Sequence, residues 1–421
     1  MDRHIQSAEG AASANLLDTI VKNGFCSGCG ACAGLIGPSR VQMRLSEQGN
    51  LRPLSSGSLA LKDVELVQAV CPGIRIEHDK LSPSSGYHPI WGPIERVRTG
   101  QAKDFQIRRE GSSGGVISAL AVYLLESRQV DFVAQIAVDT ENPLANEVQM
   151  SRTRADVLSA AGSRYAPAAP LARIEEYLST GQRFALIGKP CDVAAVRNLA
   201  KVDSRIDRQI PFLISFMCAG VPSIKGTHEV LSKLGVEADR LQSFRYRGDG
   251  WPGMARAVSL DGQVGEMDYA KSWGTILNRH LQFRCKICPD GTGEFADVVC
   301  ADAWYGKDGY PDFEEREGRS LVVTRTPVGE SLVREAVREG AIEVSDLAVE
   351  EVDRMQPYQL NRKQVVLGRL LATRLRRGWA PRYRHLGLIK ASFSARPMEW
   401  LRNAIGTYRR AKGEKGFSDV T

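Results

Sequence analysis

The chain has 421 residues, of which 43% are hydrophobic and 25% charged, and its formal net charge is +7. This ordinary composition predicts a soluble globular protein of two or three domains. The longest apolar stretches, such as Ile210–Val221, fall far short of the ~20 residues that a membrane span needs. Residues 1–23 contain no continuous apolar segment either, so we expect no export signal and a cytoplasmic location.

Near the N-terminus, three cysteines fall within seven residues and a fourth follows at a distance. Cys26, Cys29 and Cys32 form a Cys-x-x-Cys-x-x-Cys sequence, and Cys71 stands directly before a proline. This pattern is typical of the thiolate ligands of a [4Fe–4S] cluster. The two glycines inside the motif supply the backbone freedom that a loop around such a cluster needs.

Zinc is the alternative for these four cysteines, because four thiolates also bind zinc. Zinc sites usually bring their cysteines as Cys-x-x-Cys pairs, so a third cysteine at the same spacing fits them poorly. Disulfides are disfavoured by the odd total of nine cysteines and by the reducing compartment that we expect. The sequence therefore predicts a cluster module over residues 24–82, after an N-terminal extension (1–23) and before a linker rich in Ser, Pro and Gly.

The main body is predicted over residues 90–355, and a Gly/Ser loop precedes its first long helix. The helix, Val116–Leu125, is apolar on nearly all sides and should be buried. Free N–H groups at its N-terminus favour an anion such as a dinucleotide pyrophosphate, although a cap without a ligand is an equal alternative. The Gly-x-Gly-x-x-Gly fingerprint is absent. The loop residues are Gly111, Ser112, Ser113, Gly114 and Gly115.

A strand–helix–strand unit follows further along the body. Arg183–Ile187 and Ile210–Met217 are predicted as buried strands, and the helix between them, Val193–Leu199, has Asp192 as its predicted N-cap. Such a unit implies two parallel strands. Cys191 and Cys218 each follow the carboxyl end of a strand, and those ends meet at one edge of a parallel sheet. We therefore expect the two cysteines to lie close together.

A second Cys-x-x-Cys pair, Cys285 and Cys288, is the predicted partner of Cys191 and Cys218. Such a pair alone indicates zinc or a redox disulfide about as often as iron–sulfur. Four converging thiolates favour a second cluster, which accounts for eight of the nine cysteines. The ninth, Cys300, falls within a predicted strand (296–304) and is interpreted as core packing.

The C-terminal tail, residues 356–421, is basic and predicted to be helical. Residues 362–415 have fifteen Lys and Arg against two acids, which leaves the rest of the chain mildly acidic. The main interpretation is a helical region whose apolar side packs on the body. Alternatives are contact with an anionic membrane surface at the inner face of the membrane, or with an acidic partner such as a ferredoxin. No nucleic-acid motif accompanies the charge, so we expect no nucleic-acid partner.

Several motifs occur in a characteristic order along the chain. They are Cys-x-x-Cys-x-x-Cys with Cys-Pro, Gly-Ser-Ser-Gly-Gly, Gly-Ser-Arg-Tyr, Gly-Lys-Pro-Cys, Phe-Met-Cys-Ala-Gly, Phe-Arg-Tyr-Arg-Gly, Cys-x-x-Cys and Ala-Asp-Val with Asp-x-Trp. Over roughly residues 24–325 the sequence resembles the coenzyme F420 hydrogenase/dehydrogenase beta-subunit family, and its tail resembles that of stand-alone bacterial members. The resemblance implies a mixed α/β (α+β) fold: a small ferredoxin-like cluster module, an FAD-binding body and the basic tail.

The resemblance also assigns residues. It implies that Cys191, Cys218, Cys285 and Cys288 hold a [4Fe–4S] cluster beside the flavin, and that Lys189 raises its potential. It implies that residues 112–115 and 162–165 cradle FAD, although by itself the second segment is more readily interpreted as a plain turn. The segment 244–251 offers cations and aromatic faces to an anionic substrate or the flavin, with an exposed hairpin as the alternative. The cradle residues are Ser112, Ser113, Gly114, Gly115, Gly162, Ser163, Arg164 and Tyr165.

The function implied by the resemblance is that of an iron–sulfur flavoprotein oxidoreductase with two [4Fe–4S] clusters and FAD. It would pass electrons between a one-electron carrier such as ferredoxin, or coenzyme F420 (a deazaflavin), and a substrate. A role in surface-polysaccharide synthesis is a looser implication, and the first cysteine motif departs from that of members acting on chlorophyll precursors. The alternatives are an electron-relay subunit without a substrate of its own and a zinc-stabilised binding protein. No catalytic proton donor stands out.

Overall fold

The computed structural model of the protein describes residues 16–78, 86–307 and 310–412. The first segment packs three helices beside a short hairpin. Its elements are α1 (Leu16–Lys22), α2 (Ala31–Ile36), β1 (Val41–Leu45), β2 (Leu51–Ser55), α3 (Leu61–Val70) and β3 (Arg75–Glu77). Part of the predicted linker lies outside the described residues.

The body alternates strands and helices. Its first half contains β4 (Tyr87–His88), β5 (Gly92–Pro93), β6 (Arg96–Ala102), α4 (Phe105–Glu110), α5 (Val116–Glu126), β7 (Phe132–Val138), β8 (Asn146–Ser151), α6 (Arg154–Ser159), α7 (Ile174–Ser179), β9 (Phe184–Gly188), α8 (Pro190–Ala200), α9 (Arg205–Gln209) and β10 (Phe212–Phe216). Its second half contains α10 (Ile224–Leu234), β11 (Leu241–Arg245), β12 (Ala255–Ser259), β13 (Val264–Met267), α11 (Tyr269–Lys271), α12 (Phe283–Lys286), β14 (Val298–Asp302), β15 (Gly306–Lys307), β16 (Tyr310–Pro311), β17 (Ser320–Thr324), α13 (Pro327–Arg338), β18 (Ile342–Asp346) and α14 (Glu351–Met355).

The C-terminal region is helical with one short strand. It contains α15 (Pro357–Arg377), β19 (Arg382–Arg384), α16 (Leu388–Phe393) and α17 (Pro397–Arg410). The region is thus helical over residues 357–377, 388–393 and 397–410. Residues 413–421 lie outside the part of the chain that the structure describes.

An eight-stranded mixed sheet forms the centre of the body, in the order β18-β6-β17-β14-β10-β9-β7-β8. The four strands β14, β10, β9 and β7 are mutually parallel. Antiparallel strands complete both edges: β8 beside β7, and β17, β6 and β18 beyond β14. The mixed α/β fold class is therefore confirmed, and the carboxyl ends of four neighbouring parallel strands open at one edge, where α/β sheets place ligands.

The predicted strand–helix–strand unit is present. Strands β9 and β10 pair in parallel, with Ala185 beside Phe212 and Ile187 beside Ile214. Every residue of β9 is buried, as a continuous apolar strand between two layers requires. The prediction that Asp192 is the N-cap is wrong. Helix α8 begins at Pro190, because proline suits a first helical turn, and Lys189 is its N-cap. Asp192 is the third helical residue, and its carboxylate accepts a hydrogen bond from the Lys189 N–H (2.8 Å).

The first segment packs directly against the body. The Leu171 N–H donates to the Cys29 carbonyl (2.9 Å), and a Cβ added at Gly34 of α2 would lie only 2.1 Å from the Leu171 carbonyl oxygen. Glycine is required there because any side chain would separate α2 from the body. The described part of the predicted ferredoxin-like module, residues 24–78, therefore packs directly against the body. The module boundaries stay a prediction.

The C-terminal region is not a detached tail. Strand β19 pairs in parallel with β3 of the first segment, with Tyr383 beside Ile76. Helix α15 packs on the body through buried residues that include Arg362, Lys363, Val365 and Val366. Helix α15 therefore packs on the body, as the sequence predicted for this region, whereas β19 pairs with the first segment.

Candidate functional site

The four N-terminal cysteines, called here the first cysteine group, line a single cavity. Cys26 and Cys29 lie in the loop before α2, Cys32 lies in its first turn, and Cys71 caps the end of α3. Burial raises the pKa of the Cys32 thiol, and the thiols of Cys26, Cys29 and Cys71 raise it further. This mutual effect places the four sulfur atoms close together.

The loop that brings the first cysteine group together has an unusual backbone. Gly28 and Gly30 have φ of +77° and +84°, values that residues with side chains rarely adopt. The turn lets the Gly28 N–H point at the Cys26 sulfur (3.4 Å), a donor that stabilises negative charge on the sulfur. The two glycines inside the motif therefore have the role that the sequence predicted.

The second cysteine group consists of Cys191, Cys218, Cys285 and Cys288. Cys191 lies in the first turn of α8, directly after β9, and Cys218 follows the end of β10. Burial, followed by the Asp192 carboxylate, raises the pKa of Cys191, and Cys288 and Cys218 raise it further. Burial, followed by Cys285, raises the pKa of Cys218 to about 12, and Cys288 also contributes. Cys191 and Cys218 therefore lie near each other, as the parallel strands predicted, and the Cys285/Cys288 pair lies beside them.

Both groups have the ligand set of a cubane cluster. Cys29 is buried and the other seven cysteines are half-buried. Within residues 16–78, 86–307 and 310–412, no three His, Cys, Asp or Glu side chains are arranged to hold a single metal ion. In a [4Fe–4S] cluster each cysteine binds a different iron atom. The four cysteine sulfur atoms therefore need not converge on one point, as the ligands of a single metal ion must. The donor sets present therefore fit two such clusters.

Cys300 belongs to neither group. It lies in the middle of β14, is buried, and packs in the hydrophobic core with Val298 and Val322. Burial alone raises the pKa of its thiol to about 12. The prediction that Cys300 is a core residue is confirmed.

The two cysteine groups are joined by a buried hydrogen-bonded bridge. The Gln282 side-chain amide donates to the Ser27 carbonyl of the first group's loop (3.2 Å) and to the Cys285 sulfur of the second group (3.4 Å). Arg52 fixes the orientation of that amide by donating to its oxygen (2.8 Å). Gln282 therefore contacts both candidate cluster sites.

Two further side chains lie between the groups. Arg284 is buried and donates to the carbonyl oxygen of Pro72, next to Cys71 (3.1 Å), and its guanidinium lies 5.3 Å from the Tyr383 ring centre. Burial raises the pKa of Tyr383. The Arg284 charge lowers this pKa, and the thiols of Cys288, Cys191 and Cys71 raise it further. Tyr383 is thus adjacent to thiols of both groups.

Buried cations surround the second cysteine group. Lys189 forms an ion pair with Asp192 (2.7 Å). Burial lowers the pKa of Lys189, but the negative charges of Asp192, Cys191 and Cys218 have the larger effect, so the pKa is raised. Arg362 of α15 donates to the Cys218 carbonyl (3.0 Å) and to that of Cys285. These positive charges offset the charge of thiolate ligands, as a buried anionic cluster requires.

The predicted Gly/Ser loop is shaped by its packing on the sheet. A Cβ added at Gly114 would lie 2.6 Å from the Gly100 carbonyl oxygen, and the Gly114 N–H donates to Ser320 Oγ (3.0 Å). Ser113 Oγ donates to the Arg319 carbonyl (2.9 Å). Ser112 differs, because its Oγ is buried without a hydrogen-bond partner in the part of the chain that the structure describes. Gly115 is the N-cap of α5 with φ of +73°.

A cleft beside this loop contains the second predicted cradle segment. Arg245 spans it, donating to the Glu110 carbonyl (3.1 Å) and to its carboxylate (2.8 Å) while lying against Gly162. The cleft lining includes Gly162, Ser163 and Arg164 of the second segment but, among the described residues, none of residues 112–115. Its nearest approach to the first segment is Glu110, which ends α4 directly before the Gly/Ser loop. The lining residues include Glu110, Val138, Leu158, Gly162, Ser163, Arg164, Phe244 and Arg245.

Arg164 and Tyr165 differ in how they are held. All three guanidinium nitrogens of Arg164 donate to protein oxygens, those of Asn146, Phe244, Pro143 and Ala145. Arg164 therefore shapes the cleft and has no unengaged nitrogen for a ligand. The Tyr165 ring packs on Trp273, and its hydroxyl accepts from Arg247 (3.3 Å).

The segment 244–251 contributes a buried ion pair that the sequence did not predict. Arg247 binds Asp302, at the end of β14, through two hydrogen bonds of 3.0 and 2.9 Å. Trp251 donates to the same carboxylate (2.7 Å) and stacks on Trp304. Arg245 therefore faces the cleft, whereas Arg247 is a structural residue behind it.

A second buried network, centred on Glu294, lies beside the second cysteine group and was also missed. Glu294 accepts hydrogen bonds from Tyr87 (3.0 Å) and from Lys363 of α15, and His78 Nε2 lies 3.2 Å from it. Burial opposes ionisation, but Lys363 followed by His78 lowers the Glu294 pKa to about 2. Lys363 also donates to the carbonyl of Pro289, next to Cys288 (3.0 Å). No local sequence pattern connects residues this far apart.

No helix in the described ranges is long and apolar enough to cross a bilayer. Comparison with known proteins finds relatives among coenzyme F420-dependent oxidoreductases and their subunits. The chain is 27% identical over 288 residues to the coenzyme F420 hydrogenase subunit beta of Methanococcus voltae, covering 65% of this chain and 93% of that protein. It is 24% identical over 368 residues to the coenzyme F420-dependent sulfite reductase of Methanocaldococcus jannaschii, covering 82% of this chain but only 50% of that reductase.

A solved structure shares the fold. One chain of the F420-reducing [NiFe] hydrogenase complex from Methanosarcina barkeri superposes with a TM-score of 0.55 at 19% identity, covering 70% of this chain and 98% of that chain. Two family models, for the N- and C-terminal parts of the coenzyme F420 hydrogenase/dehydrogenase beta subunit, match residues 97–175 and 181–350. Together they span more than half of the sequence and include the whole second cysteine group. The chain belongs to the coenzyme F420 hydrogenase/dehydrogenase beta-subunit family.

Proposed function

We propose that this protein is an iron–sulfur flavoprotein subunit that relays electrons between coenzyme F420 and a partner oxidoreductase. The observation that supports this most directly is the pair of four-cysteine groups joined by Gln282. The named relatives are oxidoreductases or their subunits whose names specify F420. They therefore favour the relay alternative over an enzyme with a substrate of its own.

The first cysteine group would hold one [4Fe–4S] cluster, the second group another, and the cleft spanned by Arg245 would hold FAD. When bound, the clusters supply single-electron transfer, and a flavin exchanges electrons singly or in pairs. The chain's own residues at least partly bury all eight cysteines and supply cations beside the second group. Lys189, Arg284 and Arg362 are all buried there, and cations beside a cluster favour its more negative, reduced state.

Two polar groups at or near the cleft favour it as the FAD site. Arg245 is a cation in the cleft wall, and Ser112 is a buried hydroxyl without a partner in the described ranges, in the adjacent loop. A pyrophosphate needs such donors. Ferredoxin as the donor, and a role in surface-polysaccharide synthesis, stay predictions from the resemblance.

The proposed relay is tested by mixing the anaerobically reconstituted protein with reduced F420 and a one-electron dye such as benzyl viologen. We expect dye reduction to depend on the loaded protein and to consume one reduced F420 for about every two dye molecules, since a hydride equivalent supplies two electrons. NADH in place of reduced F420 is the matched control and should be inactive. Loaded protein that leaves reduced F420 unoxidised would contradict the proposal.

Replacing Gln282 by leucine is expected to lower the reduction potential of the cluster at the second cysteine group. The Gln282 N–H bonded to the Cys285 sulfur stabilises the extra negative charge of the reduced state, and leucine removes this donor. The potential is measured by redox titration followed by electron paramagnetic resonance, with iron content determined on the same sample.

Gln149→Leu is the control for this variant. Gln149 lies on the edge strand β8 and donates to Ser151 Oγ (2.9 Å) and to the Asp156 carbonyl (2.8 Å), so its loss should leave the potentials unchanged. Wild-type potentials in a Gln282→Leu protein of normal iron content would show that the bridge does not tune the cluster.

Replacing Arg245 by glutamine is expected to weaken flavin binding about tenfold, the effect of losing one charge-assisted hydrogen bond of about 1.4 kcal/mol. Arg245 lines the cleft and pairs with Glu110 (2.8 Å). The flavin Kd is measured by fluorescence quenching. Arg256→Gln removes a similar exposed pair, with Glu266 at 3.3 Å on the hairpin, and should leave the Kd unchanged. Equal Kd values for the two variants would place the flavin elsewhere.

A further inference from the structure

An apolar stripe runs along the exposed side of α17. Met398, Leu401, Ile405 and Tyr408 are 69%, 48%, 45% and 40% exposed. Their spacing of three, four and three residues places them on one face of a helix. A surface helix normally turns such a face toward a core, so this exposed stripe is unusual.

The opposite side of α17 is already occupied. Asn403 accepts from Arg369 of α15 (2.6 Å), the Trp400 ring lies against Gly368 of α15, and Thr407 is buried. Helix α17 is therefore anchored by the face opposite the stripe, and at the C-terminal end of the stripe the Tyr408 ring also lies 5.4 Å from the Arg376 guanidinium of α15. Immediately before α17, Phe393 at the end of α16 is among the most exposed large apolar side chains of the chain.

Basic side chains accompany the stripe. Residues 388–412 contain Lys390, Arg396, Arg402, Arg409, Arg410 and Lys412, and their one acidic residue is Glu399. Glu399 is engaged by Asn361 of α15. Among the residues that the structure describes, Arg402 and Arg409 form no ion pair, and on a helix they lie beside the stripe. The exposed face thus joins bulky apolar groups to uncompensated positive charge.

This combination fits an anionic lipid surface. A helix with an apolar face, flanking Lys and Arg, and low overall hydrophobicity lies in the plane of a membrane interface, its apolar side chains among the headgroups. A partner subunit shared with the family's relatives is a poorer occupant, because α15, α16 and α17 lie outside the ranges 97–175 and 181–350 that match the family models. The stripe is also convex, whereas a groove would suit an inserted peptide.

We propose that α17 docks the protein on the surface of an anionic phospholipid bilayer. Met398, Leu401, Ile405 and Tyr408 enter the headgroup region, and Arg402 and Arg409 contact lipid phosphates. The proposal goes beyond the relay function and is independent of bound cofactors. It would place the proposed electron-transfer sites beside a membrane without requiring any described helix to cross it.

The test is co-sedimentation of the full chain with vesicles of phosphatidylcholine, either pure or containing one-third phosphatidylglycerol. We expect binding only to the vesicles with phosphatidylglycerol, weakening as salt is raised. Leu401→Ser combined with Ile405→Ser should weaken this binding by about tenfold or more. Arg402→Gln combined with Arg409→Gln should weaken it too, with a shallower salt dependence of what remains.

Leu260→Ser combined with Val264→Ser is the matched control, since these two exposed apolar residues lie on the hairpin of β12 and β13. It should bind like the wild type, and all variants should keep the wild-type thermal midpoint because the changes are at the surface. Equal binding to both kinds of vesicle would overturn the proposal, as would binding to neither. A solution dimer that the Leu401/Ile405 variant abolishes, without vesicle binding, would assign the stripe to a second copy of the chain instead.

Discussion

Replacement of Cys191 by alanine is expected to halve the iron content of the reconstituted protein, from about eight to about four per chain, with sulfide falling in proportion. Cys191 is one of four cysteines of the second group, and an incomplete ligand set does not retain a cubane stably. The first group should keep its iron, because its ligands lie on α2, its preceding loop and the end of α3. Iron and sulfide are determined chemically on the purified variant.

Cys300→Ala is the control for the iron measurement. Cys300 is buried in β14 with apolar neighbours, so its loss should cost some stability but no iron. The Cys26→Ala variant should likewise lose about half of the iron, but from the first group. Full iron in the Cys191→Ala protein would show that the second group holds no cluster.

Replacement of Lys363 by methionine is expected to lower the free energy of unfolding by about 3–5 kcal/mol. Lys363 and Glu294 are both buried, and Lys363 is the main favourable charge beside that carboxylate. Methionine fills similar space but leaves the buried Glu294 carboxyl without its main cation, with His78 and Tyr87 as its remaining side-chain partners. Because Lys363 also holds the Pro289 carbonyl, α15 should loosen beside the second cysteine group.

The effect is measured by denaturant unfolding at neutral pH, with Lys62→Met as the control. Lys62 is exposed on α3, so its replacement should change stability by no more than about 0.5 kcal/mol. Adding Glu294→Gln to Lys363→Met should recover part of the loss, because the uncompensated charge is then absent. A Lys363→Met protein as stable as the wild type would show that the pair contributes nothing.

Local sequence signals were sufficient for the parallel pair β9 and β10 and for the proximity of Cys191 and Cys218. The apolar runs around β9 and β10 have no polar face, so they had to be buried strands, and their carboxyl ends placed Cys191 and Cys218 at one edge. The position of Cys300 within the apolar strand β14 indicated core packing for the same reason. In each case the deciding residues are adjacent in sequence.

The parts that the sequence could not supply depend on contacts between distant segments. Lys363 meets Glu294, and Arg247 meets Asp302, across separations that no motif or periodicity encodes. Gln282 has no sequence feature that marks it as a bridge; its role arises only when Ser27 and Cys285 are brought together. The prediction that Asp192 caps α8 was wrong for a local reason. Proline at position 190 starts the helix three residues earlier than predicted.

The most direct test of the two-cluster flavoprotein is the simultaneous determination of iron, sulfide, zinc and flavin on the anaerobically purified full chain. We predict about eight iron, about eight sulfide and one FAD per chain, little zinc, and a visible spectrum that bleaches with dithionite. Stoichiometric zinc without iron or flavin would contradict the account, because both cysteine groups would then be structural zinc sites and no electron relay could operate.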